Sequence, residues 1–308
     1  MAENEVPKRR SCGAMAEFHR LLERDPDYRA RLVGIEQATQ RRIARMNVAR
    51  LSSLTVPVVV HVVYKDAAHN IPDQQVASQI DVLNADFNAN NTDLPQVPAP
   101  WKSLVGNARL KFKLASRDPA GTATSGIVRR KSSVASFPQN DAVKRSGQGG
   151  SDAWDTTRYL NIWVCNLGEG LLGYAQFPGG PADTDGVVIR NTAFGTAGIA
   201  AAPFNLGRTT THEVGHFLNL RHIWGDTEDC SGSDLVSDTP RQQLPNYSEP
   251  SFPHVSCNNG PHGDMFVNYM DYVDDKAMFM FTTGQIARMR ATLSGPRRSL
   301  VTDAGERT

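Results

Sequence analysis

The chain has 308 residues, 40% of them hydrophobic and 21% charged, and its 33 basic side chains nearly balance 32 acidic ones. A net charge of +1 gives no general attraction to nucleic acid or to a membrane surface, so neither partner is expected. No apolar run approaches the roughly 18 residues that a membrane-spanning helix needs. The N-terminus also lacks the apolar core of a signal peptide. The length allows one or two domains and leaves the oligomeric state open.

The N-terminal region, residues 14–48, has apolar side chains at helical spacing with many arginines between them, and Pro26 is expected to start a second helix. From Thr55 the pattern becomes that of an α/β (α+β) domain. Apolar, β-branched runs predict strands over Val56–Tyr64, Leu110–Ala115, Ile127–Arg130, Leu160–Asn166 and Gly186–Ile189. Helical periodicity predicts helices over Asp73–Asn88, Thr209–Asn219 and Thr283–Leu293.

A metal-binding motif lies in the second of these helices. His212 and His216 are four residues apart, so both face the same side of the helix and can bind one Zn²⁺. Glu213 lies beside the first histidine and can take a proton from a water at the metal. His222 can be a third ligand only if the chain bends after His216. Asn219 is the expected bend, because asparagine tolerates left-handed φ. Three histidines leave one coordination position open, which is typical of a catalytic zinc site.

A second motif follows in the chain and reads Asn268-Tyr269-Met270-Asp271-Tyr272. The extended histidine motif followed by a methionine-containing turn resembles the metzincin zinc endopeptidases. Further sequence segments are similar to those of the pappalysin family, and in particular to those of its small microbial members. They read Leu-Arg-His-Ile-Trp-Gly-Asp, Val236-Ser237-Asp238-Thr239-Pro240 and Phe281-Thr282-Thr283-Gly284-Gln285. The resemblance covers the chain from Cys12 to about Leu293.

This resemblance implies a metzincin-like fold. We expect a mixed twisted sheet with an antiparallel edge strand, a backing helix, the zinc-motif helix and an irregular C-terminal subdomain. Residues 1–50 are expected to be a helical propeptide and residues 51–308 a catalytic domain. The catalytic domain would divide into an N-terminal subdomain of about 51–222 and a C-terminal subdomain of about 223–308.

The resemblance also implies the chemistry, which is hydrolysis of peptide bonds in proteins with one catalytic Zn²⁺. Glu213 would be the general base and then the general acid. Tyr272 would donate a hydrogen bond to the tetrahedral intermediate; the alternative is a buried structural tyrosine. Met270 is too poor a ligand to join three imidazoles and would form an apolar floor beneath the site.

Substrate contacts are expected on two segments. Gly173 and Tyr174 match the metzincin edge strand, whose free backbone groups can pair with an extended peptide. Asp275, with Asp274 as second choice, would line the pocket for the residue just after the scissile bond and bind its guanidinium or ammonium group. Cleavage on the N-terminal side of Arg or Lys follows from that assignment. The alternative is that both acids are solvated loop residues.

Cys12 lies in the sequence Arg10-Ser11-Cys12-Gly13 and can reach the open zinc position through its thiolate. As in some metzincin zymogens, the protein would then be latent until its propeptide is removed. Self-processing at Ala49–Arg50 is the first candidate. Relatives of this kind are commonly exported, so we expect a secreted, extracellular protein although no signal peptide is visible.

The resemblance implies a disulfide between Cys230 and Cys257. Cys165 follows the apolar strand residues Leu160 to Val164 and is expected to be a buried free thiol. The resemblance also implies structural Ca²⁺ in the same subdomain as the disulfide. The nearest matches for its ligands are Asp234, the Val236 carbonyl, Asp238 and Thr239, although a solvated acidic loop would look the same. Two rival functions stay open. One is a zinc-binding but inactive protein-interaction module. The other is a zinc peptidase with a downstream glutamate as third ligand, for which Glu249 is a poor candidate.

Overall fold

The protein is represented by a computed structural model, which describes residues 6–168 and 170–303. The outermost residues of the two expected domains, 1–5 and 304–308, lie outside the described residues, as does position 169. The helices are α1 (Ala14–Arg24), α2 (Tyr28–Ile43), α3 (Asp73–Asp86), α4 (Arg208–Phe217) and α5 (Thr283–Leu293). The strands are β1 (Leu54–Tyr64), β2 (Leu110–Leu114), β3 (Ile127–Lys131), β4 (Leu160–Cys165), β5 (Gly173–Ala175), β6 (Val187–Arg190), β7 (Tyr247–Ser248), β8 (Tyr272–Val273) and β9 (Thr302–Asp303).

The main sheet is built around β1, which is long enough to pair with different strands along its length. On one side its first half pairs with β2 and its second half with β3, and on the other side it pairs with β4. The order β2-β1-β4-β6-β5 then leads to the edge strand. These pairings are parallel except for β5, which runs antiparallel to β6. The predicted mixed sheet with an antiparallel edge is therefore confirmed.

Successive side chains of β1 point to opposite faces of the sheet and so belong to different apolar clusters. Val58 and Val60 belong to the large apolar cluster shared with α3 and α4, whereas Val59 and Val63 belong to smaller clusters. From α3 the large cluster receives Val76 and Leu83. Helix α3 packs on β2, α4 packs on β5 and β6, and the two helices contact each other. Helix α4, which carries His212 and His216, is therefore completely buried.

The N-terminal segment, residues 6–50, forms two helices that pack on the rest of the protein. The break falls near Pro26 as predicted, although α2 begins two residues later, at Tyr28. Helix α2 packs against α5, and α1 packs against β5. The N-terminal segment therefore covers the edge of the sheet and the last helix together.

The region between α4 and α5 is largely irregular and is closed by a disulfide. Cys230 and Cys257 are bonded, with 27 residues of sequence separation, and Cys165 is a buried free thiol, both as expected. Helix α5 begins with a capping box between Thr282 and Gln285. Among the described residues, no helix is both long and apolar enough to cross a lipid bilayer.

Candidate metal centre and peptide cleft

Three histidines converge on one point beside α4. The Nε2 atom of His216 lies 3.1 Å from Nε2 of His212 and 3.1 Å from Nε2 of His222. The Cys12 thiol completes the group, and the four ligand atoms all lie within 4.8 Å of one another. Zinc–nitrogen bonds of about 2.0–2.1 Å in a tetrahedron would place the nitrogens roughly 3.3 Å apart. The donor set and its spacing therefore fit a single zinc ion.

The remaining ring nitrogen of each histidine has a partner that fixes the ring. His212 Nδ1 bonds to the Tyr269 carbonyl at 2.7 Å, and His216 Nδ1 to the Leu220 carbonyl at 2.8 Å. His222 Nδ1 bonds to the Asp226 carboxylate at 2.5 Å. Such partners place the proton on Nδ1 and leave Nε2 as the lone-pair donor that a metal requires. Burial lowers the pKa of His212 and of His216, which also favours the neutral, ligating form.

The bend between the second and third histidine is at Asn219, whose φ is 73°. Helix α4 ends at Phe217, two residues before its predicted end, because the chain turns into the left-handed region at Asn219. Next to His216 in the helix, a Cβ added at Gly215 would lie 2.5 Å from the Met270 sulfur. The absence of a side chain at Gly215 therefore lets the fully buried Met270 pack closely against the helix beneath the histidines.

Glu213 faces the same space as Cys12. The thiol lies 3.4 Å from Oε2 of Glu213, and the Glu213 side chain is buried. Burial raises the pKa of the Glu213 carboxyl to about 8, while the hydrogen bond from Cys12 acts in the opposite direction. The Cys12 side chain thus occupies the position between Glu213 and the histidines where a reacting water would have to lie.

Tyr272 lies at the edge of the histidine cluster. Its ring centroid is 4.9 Å from that of His222 and 5.8 Å from that of His212. Burial raises the pKa of the Tyr272 phenol, and a backbone hydrogen bond with Cys12 partly offsets that increase. The hydroxyl is therefore a neutral donor that reaches the chain segment occupying the metal position.

The N-terminal segment pairs with the edge strand at this point. Leu172 donates to the Ser11 carbonyl at 3.0 Å, and Gly13 donates to the Gly173 carbonyl at 2.9 Å. A Cβ at position 173 would approach the Glu213 side chain to 2.8 Å, so glycine allows the strand to pass close to the site. The Tyr174 side chain, by contrast, is fully buried in the core cluster on the far face. The Tyr174 backbone lies opposite Val188, between the pairs Leu172–Arg190 and Gln176–Gly186 whose backbone groups are bonded, so it faces β6 and not the open edge. The expected backbone contact of Tyr174 with a peptide is therefore not supported, whereas the Gly173 carbonyl does face the N-terminal segment.

A buried pocket beside the metal position holds Arg10. Its Nη2 lies 2.6 Å from Oδ1 of Asp275, and its Nε donates to the Val273 carbonyl at 3.1 Å. The other carboxylate oxygen of Asp275 accepts the backbone N–H of Leu206 at 2.7 Å, which fixes the orientation of the carboxylate. Of the two predicted pocket acids, Asp275 is the one at the base, while Asp274 is only partly buried.

The calcium candidates are only partly brought together. The Thr239 hydroxyl lies 2.9 Å from both Asp234 carboxylate oxygens and 3.0 Å from the Val236 carbonyl. The Asp238 side chain lies elsewhere, because it accepts hydrogen bonds from the Thr282 hydroxyl and the Gly284 N–H at the start of α5. The Asp238 carboxylate thus caps a helix.

Two functional candidates are missing from the sequence-based set. Asp226 follows His222 by four residues, and that spacing was the available signal for a partner of the third histidine. Arg10 precedes Cys12 by two residues, and its basic side chain was the signal for the Asp275 pocket. The pairing of Asp226 with His222, and that of Arg10 with Asp275, is evident only in the folded protein.

Comparison with known proteins agrees with this geometry. Residues 144–294 match the family model described as pregnancy-associated plasma protein-A. An extracellular metalloprotease of Arthroderma benhamiae is 32% identical over 245 residues, which cover 77% of each chain. The chain belongs to the pappalysin family of metalloproteases.

Solved structures place the chain among pappalysins that are made as precursors. It is similar to a promirolysin mutant of Tannerella forsythia, with 47% identity, a TM-score of 0.87 and coverage of 94% of this chain and 97% of that one. It is also similar to mature mirolysin of the same organism in complex with a cleaved peptide, with 52% identity and a TM-score of 0.80. That match covers 81% of this chain and 96% of the other. A metzincin fold, a zymogen form and a zinc-dependent protease activity follow from this membership.

Proposed function

We propose that this chain is the latent form of an endopeptidase that cuts proteins on the N-terminal side of Arg or Lys. His212, His216 and His222 would hold the zinc ion, and Cys12 would be its fourth ligand before activation. The observation that carries the proposal is the arrangement of Arg10 in the Asp275 pocket, two residues from the thiol at the metal position. The protein's own N-terminal segment thus supplies a model of the basic side chain that the pocket binds.

The direction of that segment supports latency. A substrate cut before an arginine has its scissile bond at the metal and its arginine afterwards in the chain. In this protein the order is reversed, because Arg10 in the pocket precedes Cys12 at the metal. The N-terminal segment also runs parallel to β5 at Cys12 and Gly173. It therefore fills the cleft in the direction opposite to that of a substrate, and no peptide bond is presented for attack.

In the open site the residues have separate tasks. A zinc ion would polarise the scissile carbonyl and make an attacking water more acidic. Glu213 would accept the proton of that water at its carboxylate and return it to the leaving amine. The Tyr272 hydroxyl would donate to the oxygen on which negative charge develops. Asp275 would bind the basic side chain after the scissile bond, and the backbone of Gly173 would pair with the peptide.

We also propose residues 1–50 as the propeptide and 51–308 as the catalytic domain, with subdomains of about 51–222 and 223–308. The mature mirolysin structure covers 81% of this chain and the precursor 94%, which is the difference that a removable N-terminal segment would give. Ala49 and Arg50 are exposed, between α2 and β1. The Ala49–Arg50 peptide bond is therefore accessible for self-processing. N-terminal sequencing of the mature protein tests this, and a start outside residues 45–56 would contradict it.

Two further parts of the proposal concern location and calcium. Export is supported by relatives that are named extracellular metalloproteases. The two Asp234 carboxylate oxygens and the Val236 carbonyl oxygen lie within hydrogen-bond distance of the Thr239 hydroxyl, and these four oxygens together would suit a hard cation such as Ca²⁺. Calcium would then raise the melting temperature of the wild-type protein and not that of Asp234→Asn. An equal response of the two proteins would remove the calcium assignment.

The decisive experiment is digestion of an unfolded protein by the purified, zinc-loaded chain, with mass spectrometry of the new termini. We expect chelator-sensitive cuts with Arg or Lys at the new N-termini. The Glu213→Ala variant should bind zinc as the parent does and make no cuts. Cuts before other residues would overturn the pocket assignment. Zinc binding without any cleavage, even after removal of residues 1–50, would favour the inactive binding module.

A further inference from the structure

A second ion pair joins the N-terminal segment to the catalytic part of the chain. Arg288 on α5 binds Glu36 on α2 through two parallel hydrogen bonds, of 2.9 Å and 2.6 Å. The Arg288 side chain is 1% exposed and that of Glu36 is 32% exposed. Solvent therefore reaches the pair from the side of Glu36, and this carboxylate covers the guanidinium.

Arg288 also has a hydrogen bond within the catalytic part of the chain. Its Nε donates to the Asn219 carbonyl at 2.7 Å, and Asn219 is the bend between His216 and His222. This bond uses the edge of the guanidinium away from Glu36. Loss of the N-terminal segment would consequently leave the two N–H groups that bind Glu36 aimed at the place where its carboxylate had been.

The surroundings of this pair border the metal site. A cavity of about 40 Å³ beside it is lined by Phe177, Asn219 and Arg221 and is closed by residues of α1 and α2. The Phe177 ring lies 5.3 Å from that of His216 and 5.7 Å from that of Phe18 on α1. Removal of the two N-terminal helices would open this cavity into a groove next to His216.

The groove lies on the opposite side of the metal from the Asp275 pocket. Along the N-terminal segment, Arg10 occupies that pocket, Cys12 lies at the metal and Phe18 contacts Phe177. Since the pocket would take the residue after the scissile bond, the groove beside Phe177 and Arg288 would take residues before it.

We propose that Arg288, together with Arg221, forms a carboxylate-binding subsite for an Asp or Glu side chain on the N-terminal side of the scissile bond. Glu36 would be its occupant in the latent protein. A guanidinium left at the base of a groove without its carboxylate has desolvated donors that an incoming carboxylate satisfies, and a fork of two N–H groups binds a carboxylate in a defined orientation. This inference rests on the proposed function, because it needs the endopeptidase activity and the loss of the N-terminal segment.

The test uses the full chain after zinc loading and processing, with peptides that carry one Arg after the scissile bond. Each peptide pair has Glu or Gln at one of the four positions before that bond. We expect kcat/KM to be about tenfold higher with Glu than with Gln at one of these positions, as for a charge-assisted hydrogen bond. Both values come from one preparation, so the fraction of active enzyme cancels in their ratio.

Variants then assign the preference. Arg288→Gln should reduce the Glu-to-Gln ratio to about one, Arg288→Lys should keep part of it, and Arg221→Gln should lower it. Arg298→Gln, a change at an exposed arginine just beyond α5, should leave the ratio as in the parent. If Arg288→Gln does not fold, the Glu-to-Gln ratios of the parent enzyme and of Arg221→Gln still test the subsite.

Two negative outcomes are distinguishable. Equal rates for Glu and Gln at all four positions, with cleavage before Arg intact, would overturn the subsite alone. That result would fit an internal carboxylate such as Asp234 taking the place of Glu36. Absence of cleavage before Arg in every peptide would instead contradict the proposed function.

Discussion

Arg10 and Asp275 are 265 residues apart in the sequence, and their side chains form a buried ion pair 2.6 Å long in which neither partner is more than 1% exposed. A lone charge in either position would be strongly unfavourable in that environment. The pocket is therefore built for a cation, and in the latent chain the cation comes from the N-terminal segment. After that segment leaves, a substrate Arg or Lys would take its place.

Asp275→Asn should abolish the preference for basic residues. The Asn side-chain oxygen would accept the Leu206 N–H, so its NH₂ group would face the incoming guanidinium. We expect kcat/KM for cleavage before Arg to fall by about 30-fold or more, which corresponds to the roughly 2 kcal/mol or more lost when a buried charge pair is broken. Asp274→Asn is the matched control and should keep the preference. A peptide library with unchanged basic selection in Asp275→Asn would contradict the assignment.

Cys12→Ala should shorten the latent phase. The thiol lies between Glu213 and the histidines, so its removal frees the position of the reacting water while Arg10 still holds the segment in its pocket. After zinc is added, we expect Cys12→Ala to be converted to the mature form several-fold faster than the parent. Electrophoresis of samples taken over time would measure both rates. Cys165→Ala removes the other free thiol, which is buried in the sheet, and should not change the rate. Equal rates for Cys12→Ala and the parent would rule out a thiol switch.

Asp226→Asn should weaken metal binding. The Asp226 carboxylate accepts the Nδ1 proton of His222 and thereby orients that ring. Loss of such a partner typically lowers metal affinity by about 10–100-fold. Competition with a coloured chelator would measure the change in the processed protein. Asp229→Asn, a change at an exposed residue of the same loop, should bind zinc as the parent does. Equal affinities of the two variants would leave Asp226 with a purely structural role.

The fold could be predicted from the sequence wherever the determinants are local. Helix α5 has its predicted bounds because the capping box between Thr282 and Gln285 is readable in the sequence. Helix α4 ends earlier than predicted because Asn219, placed inside the predicted helix as its last residue, already has left-handed φ. Sequence periodicity alone does not show at which residue before the bend the helix ends.

The same division holds for the site. The histidine motif depends on spacing within a few residues, so its convergence was predictable. The pairing of Glu36 with Arg288 connects residues 252 positions apart and depends on how two helices pack. No local pattern encodes that packing. The role of Asp226 depends on a left-handed backbone conformation at the residue itself, with φ of 58°. The neighbouring residues in the sequence do not predict that conformation.

Removal of the disulfide should destabilise the irregular region between α4 and α5. Cys230 and Cys257 close a loop with a sequence separation of 27, for which chain entropy predicts about 3–4 kcal/mol of stabilisation. We expect the double change to Ser to lower the free energy of unfolding by that order, measured in the Glu213→Ala background so that self-digestion does not interfere. A reducing agent should have a similar effect on the parent and none on the double variant.

Tyr272→Phe should separate catalysis from binding. The Tyr272 ring packs against those of His222 and Trp224, and Phe preserves these contacts while removing the hydroxyl. If the hydroxyl donates to the oxygen that becomes negative, its loss acts on the transition state and little on the ground state. We expect kcat to fall about 10²–10³-fold with little change in KM. Tyr247→Phe alters a neighbouring tyrosine whose ring is 6.0 Å from that of Tyr272 and should keep kcat near the parent value. An unchanged kcat in Tyr272→Phe, with zinc content and melting temperature as in the parent, would assign Tyr272 to packing alone.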